Sequence, residues 1–120
     1  MIDEEYIFIG TEKGLFYMPY TNTDPIFLTE YSPSSGAFDY YNGKVYFTVE
    51  ADAKANLISV DVKTQEINEV VSLVESNGTV RTYTEIAICA DGYYYTEPNN
   101  TNGGLFYHSF NQTEEIRIWN

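Results

Sequence analysis

Along this chain the apolar residues fall into short runs of four to seven, separated by clusters of Gly, Pro, Asn, Asp and Thr. A helix would need apolar positions recurring every three to four residues over ten or more, and no segment sustains that period. The runs therefore predict strands at 6–11, 15–20 and 26–29; at 37–41, 44–50, 56–62 and 67–73; and at 84–90, 93–97, 105–110 and 115–119. These eleven strands group as three, four and four.

Three segments are alike. Ile7-Phe8-Ile9-Gly10-Thr11-Glu12 leads to Gly14-Leu15-Phe16-Tyr17, Val45-Tyr46-Phe47-Thr48-Val49-Glu50 leads to Asn56-Leu57-Ile58-Ser59, and Tyr93-Tyr94-Tyr95-Thr96-Glu97 leads to Gly104-Leu105-Phe106-Tyr107. Each is an aromatic strand ending near a Glu, then a polar loop, then Leu. Leu15, Leu57 and Leu105 stand 42 and 48 residues apart, the repeat length of propeller blades. Asn42-Gly43 and Asp91-Gly92 lie at the same point of two repeats, where such dipeptides predict a tight hairpin turn between the first and second strands. The chain reads as one β domain of three repeats, 5–30, 35–73 and 81–119, the first without its innermost strand.

The run Phe38-Asp39-Tyr40-Tyr41-Asn42-Gly43-Lys44-Val45-Tyr46-Phe47, followed by Asn56-Leu57-Ile58-Ser59-Val60-Asp61, resembles the blades of bacterial β-propellers of the broad YWTD-like and quinoprotein-like kind. The resemblance covers nearly the whole chain and is one of architecture. It implies four-stranded antiparallel blades that serve as ligand platforms or docking surfaces and, less often, as enzymes. The chain departs from those families in having no Tyr-Trp-Thr-Asp motif and no tryptophan-docking motif.

Propeller rings contain about four to eight blades, so three form only a partial ring. Unpaired edges and apolar blade faces at both ends then favour a homo-oligomer, with a head-to-tail dimer giving six blades. In that dimer Phe8, Phe16 and Phe27 of one copy are expected to meet Phe106, Phe110 and Trp119 of the other. A β-sandwich with eleven strands is the rival arrangement.

Charge narrows the partners. Eighteen acids against six bases give a formal net charge of -12, leaving few cations for phosphate contacts and arguing against direct nucleic-acid binding. The single Cys89 lies in the apolar run Ile86-Ala87-Ile88-Cys89-Ala90 and reads as a small buried hydrophobe. Met1-Ile2-Asp3-Glu4-Glu5 lacks the basic start of a signal peptide and no run reaches membrane-spanning length, so the expectation is a cytoplasmic protein with no membrane partner.

Candidate chemistry is sparse. His108 is the only histidine and has no nucleophile paired with it in the sequence, while no Cys/His cluster, calcium loop or phosphate-binding Gly loop is present. The expectation is a non-enzymatic protein with no cofactor and no metal. Glu12, Glu50 and Glu97 recur at one point of each repeat, and stacked blades would bring them to one face with Thr11, Thr48, Thr96, Tyr95 and Asn99. Convergent carboxylates suit a cation, an amine or an arginine-bearing partner; the competing reading is that each accepts hydrogen bonds from its own loop.

Two functions are therefore in view. One is a binding module, a half-propeller that assembles into a closed ring and presents an acidic, aromatic face to a protein or small ligand. The alternative is a small acidic inhibitor that occupies the nucleic-acid groove of a host enzyme, as phage-encoded antagonists of defence systems do.

Overall fold

A computed structural model of the chain describes residues 6–19, 24–33, 37–51, 54–73, 83, 85–96, 104–111 and 115–119. All of its regular structure is β. The strands are β1 (Tyr6–Thr11), β2 (Gly14–Pro19), β3 (Ile26–Thr29), β4 (Phe38–Tyr41), β5 (Lys44–Ala51), β6 (Lys54–Asp61), β7 (Ile67–Ser72), β8 (Glu85–Ile88), β9 (Gly92–Thr96), β10 (Leu105–Ser109) and β11 (Glu115–Trp119). They form three antiparallel sheets in the orders β1-β2-β3, β4-β5-β6-β7 and β8-β9-β10-β11, so each sheet takes its strands from one stretch of chain. The three-four-four grouping read from the sequence is the grouping observed. Among the described residues no strand lies inside β1, and no helix is long and apolar enough to cross a membrane.

The middle sheet is covered on both faces. Val45, Phe47 and Val49 of β5 with Ile58 and Val60 of β6 pack against Leu15 and Leu28 of the first sheet, joined by the rings of Tyr6, Phe8, Phe38 and Tyr40. Alternation sends the intervening positions the other way: Leu57 and Ala55, with Tyr46, meet Ile86, Ile88, Tyr93, Tyr95 and Phe106 of the third sheet. Phe47, Val45, Leu57 and Val60 are each 0% exposed, as expected of strands buried on two sides. β4 and β8, the inner strands of their sheets, lie side by side. There the Asp39 carboxylate reaches across and accepts the Ile88 N–H.

Turn chemistry agrees with the sequence at one hairpin and differs at the other. Asn42 and Gly43 have φ of 52° and 82°, the doubly left-handed turn that an Asn-Gly pair suits, and they link β4 to β5. The Asp91-Gly92 pair is displaced by one residue from the expected place. The Cys89 N–H donates to the Gly92 carbonyl at 2.9 Å, which leaves Ala90 and Asp91 as the turn and puts Gly92 in β9. Gly92 is there for space. A Cβ on it would stand 2.2 Å from the His108 carbonyl oxygen of the neighbouring strand. Gly14 and Gly104, which open the two Gly-Leu-Phe-Tyr segments, share φ of 131° and 130°, so this part of the repeat is preserved in backbone as well as in sequence.

Candidate functional site

The stacked sheets share one direction. Tyr6 meets Tyr40 and Phe8 meets Phe38 with ring centroids 5.6 and 5.3 Å apart, so β1 runs opposite to β4 and hence alongside β5. At the other joint, Tyr41 and Asn42 of one inner hairpin and Cys89 and Ala90 of the next line one cleft, which sets β5 and β9 leaving from the same end. The ends of β1, β5 and β9 that carry Thr11, Glu50 and Thr96 therefore lie together at the opposite end of the stack.

Within that end the eight residues singled out from the sequence take different places. Glu12 is exposed and stands in the turn between β1 and β2, whereas Glu50 is exposed but still within β5, opposite Ala55. Thr11 serves its own turn, its hydroxyl donating to the Gly14 carbonyl at 3.0 Å and accepting the Lys13 N–H at 3.2 Å. The Ser32 hydroxyl donates to the Thr11 carbonyl and ties the following segment back to this end. Thr96 is half-buried at the end of β9, opposite Leu105. Thr48 is 3% exposed and Tyr95 1% exposed, the latter stacked against Tyr83 and Phe106 at 4.2 and 5.4 Å. Both sit inside the packing because each strand here has a covered sheet on that side. Glu97 and Asn99 lie outside the described residues. Glu12 and Glu50 reach solvent at this end, as do Glu85, opposite Thr96, and Glu30, beside Gly14; a carboxylate there accepts hydrogen bonds from an ammonium or guanidinium group.

The opposite end carries the cleft, about 320 Å³ in volume, between the middle and third sheets. The rings of Tyr41, Tyr46 and Phe110 wall it, with Asn42, Lys44 and Cys89 as its polar groups. Burial, and next the neighbouring Tyr41, push the Tyr46 hydroxyl above its ordinary range. The Cys89 thiol donates to the Gly92 carbonyl at 3.2 Å. The cleft is legible only once the hairpins are stacked, because its walls come from residues up to sixty-nine positions apart.

His108 stacks on Tyr93 with centroids 5.4 Å apart and its Nδ1 is enclosed without a hydrogen-bond partner among the described residues. No group of three His, Cys, Asp or Glu among the described residues is placed to hold a metal ion. The chain matches no protein-family model, no curated protein and no solved structure.

Proposed function

We propose that the chain is a three-blade piece of a β-propeller ring and acts as a non-enzymatic interaction module, binding a cationic protein segment at the turn end that carries Glu12 and Glu50. The observation that supports this reading is the like direction of the stacked sheets, which brings the ends of β1 and β5, with Glu12 and Glu50, to one end together with the Thr96 end of β9. Repeated carboxylates at a common height suit arginine or lysine side chains spaced along a partner, each charge-assisted hydrogen bond contributing about 1.5–3 kcal/mol. Three blades are fewer than the four to eight of a closed ring, so the module is completed by further blades.

The inhibitor reading retains one observation in its favour: Asp24, Glu66 and Glu69 are also exposed, away from the turn end. An arginine-rich peptide titrated against two triple variants separates the two. Glu12, Glu50 and Glu97 changed together to Gln should weaken binding about tenfold or more, and Glu66, Glu69 and Glu75 changed to Gln by about twofold. Equal losses would replace a convergent face by bulk charge and favour the inhibitor.

A further inference from the structure

The repeat puts equivalent residues on equivalent faces, and the chain buries some of them and leaves others bare. Ile7 and Ile9 hold the positions of Val45 and Phe47 and of Tyr93 and Tyr95 in the three alike segments. The latter four are 0 to 1% exposed because a preceding sheet covers them; Ile7 and Ile9 are 40% and 37% exposed, and no sheet among the described residues covers them. Beside them on the same outer face Phe16 and Phe27 form an edge-on ring pair at 5.4 Å. At the other end of the stack the opposite kind of face is bare. Tyr94 holds the position of Phe8 and Tyr46, both of which pack against the next sheet, yet it is 39% exposed and lies against Tyr107 at 4.9 Å. Ile116, opposite Tyr107, and Ile118 extend this face at 54% and 49% exposed.

We propose that these two faces are the halves of one joint and that a second copy of the chain, set head to tail, fills it. The proposal rests on the ring reading above and specifies its partner. Each sheet joint already in the chain brings a face of the Phe8 and Tyr46 kind onto a face of the Val45 and Tyr93 kind. The bare faces of sheets one and three are one of each kind, and the middle sheet keeps them apart within a chain, so the match is made between copies. Closure fixes the number. For a ring built from copies of this chain alone, six is the one multiple of three within the four to eight blades of propeller rings, which gives a dimer with two identical joints. The sequence expectation named Phe8 and Phe106 in this contact, and the structure corrects it: Phe8 packs on the middle sheet and Phe106 is 5% exposed in the core. Phe16 and Phe27 remain, Phe110 lines the cleft instead, and the Trp119 side chain lies outside the described residues.

Sedimentation of the full chain at tens of micromolar tests the joint. The expected mass is twice 13.7 kDa. Ile9→Lys and Ile118→Glu each place a charge on a bare face without touching the core. Each alone should sediment as a folded monomer with an unchanged β circular dichroism spectrum and a dimer dissociation constant raised about a hundredfold or more. Mixed one to one, they should form the dimer again, since the mixture keeps one unaltered joint and sets Lys against Glu in the other. A wild-type monomer, a ladder of larger species, dissociation by only one variant, or no recovery on mixing would each overturn the head-to-tail joint. A monomer that still binds the arginine-rich peptide through Glu12 and Glu50 removes the joint alone; a dimer indifferent to those acids removes the binding face alone.

Discussion

The Asp39 carboxylate accepts the Ile88 N–H at 2.7 Å, a bond between two inner strands that lie 49 residues apart in the chain. β8 is the inner edge of its sheet, so this N–H faces away from β9 and has no strand to pair with. Asp39 blunts that edge and fixes how far the second and third sheets slide on each other. Its other oxygen accepts the Tyr40 N–H at 3.0 Å, which holds the side chain in place.

Asp39→Ala should therefore cost about 1.5–3 kcal/mol, the loss of a charge-assisted bond with a backbone donor left unmet. Asp39→Asn keeps an acceptor oxygen and should cost less. Urea midpoints of the two variants give the comparison, and equal, small losses would show that the sheets do not depend on this bond.

Two glycines separate space from backbone conformation. Gly92→Ala forces a Cβ to 2.2 Å from a carbonyl oxygen in the adjacent strand and should either unfold the third sheet or cost several kcal/mol. Gly43→Ala meets nothing within 4 Å and bears only the strain of a φ of 82°, about 1–2 kcal/mol. Thermal melts of both variants should rank them in that order.

Position in the stack decides what a phenylalanine contributes. Phe47 is enclosed between the middle and first sheets, and Phe47→Ala should cost about 3–5 kcal/mol. Phe27 is 48% exposed and, measured in a monomeric variant such as Ile118→Glu, Phe27→Ala should cost about 1 kcal/mol, chiefly its contact with Phe16. A loss at Phe27 as large as that at Phe47 would contradict the placement of the first sheet's outer face.

Acid should act through Asp61. The Thr64 N–H, with smaller help from the Lys63 N–H and the nearby Lys44, holds its carboxyl below the usual aspartate range against a partial opposing effect of burial. A lowered folded-state value means that the stabilisation is present above the usual aspartate range and fades as pH falls through that lowered value. Urea midpoints measured from neutrality down to about pH 2 should show wild type losing its advantage over Asp61→Asn in that interval. A gap independent of pH would assign the difference to turn geometry.

Strands were legible because polar turn clusters interrupt apolar runs, and the observed limits lie within one or two residues of those expected. Sidedness was less so. Alternation tells which residues of a strand share a face, and not whether another sheet covers it, so Thr48 and Tyr95 read as members of an open face although both are buried. The Asp-Gly pair misled for a related reason: Gly92 satisfies a contact made by β10, a strand seventeen residues later, and the dipeptide alone carries no trace of it. One signal for the sheet-to-sheet bond was present and unused, a single acid, Asp39, set between Phe38 and Tyr40 in a strand otherwise aromatic. A charge in such a run needs a partner, and its partner is a backbone group that sequence does not display.

The two-sided cover of the middle sheet also sets an order of events. Hairpins within each sheet join neighbours in sequence and close quickly, whereas sheets couple only to the next one along, so cooperativity spreads outward from the middle. Amide hydrogens of β5 and β6 should exchange last, at the free energy of global opening, and those of β1 and β11 first, so that a pulse of deuterium would label the chain from its ends toward Phe47 and Leu57.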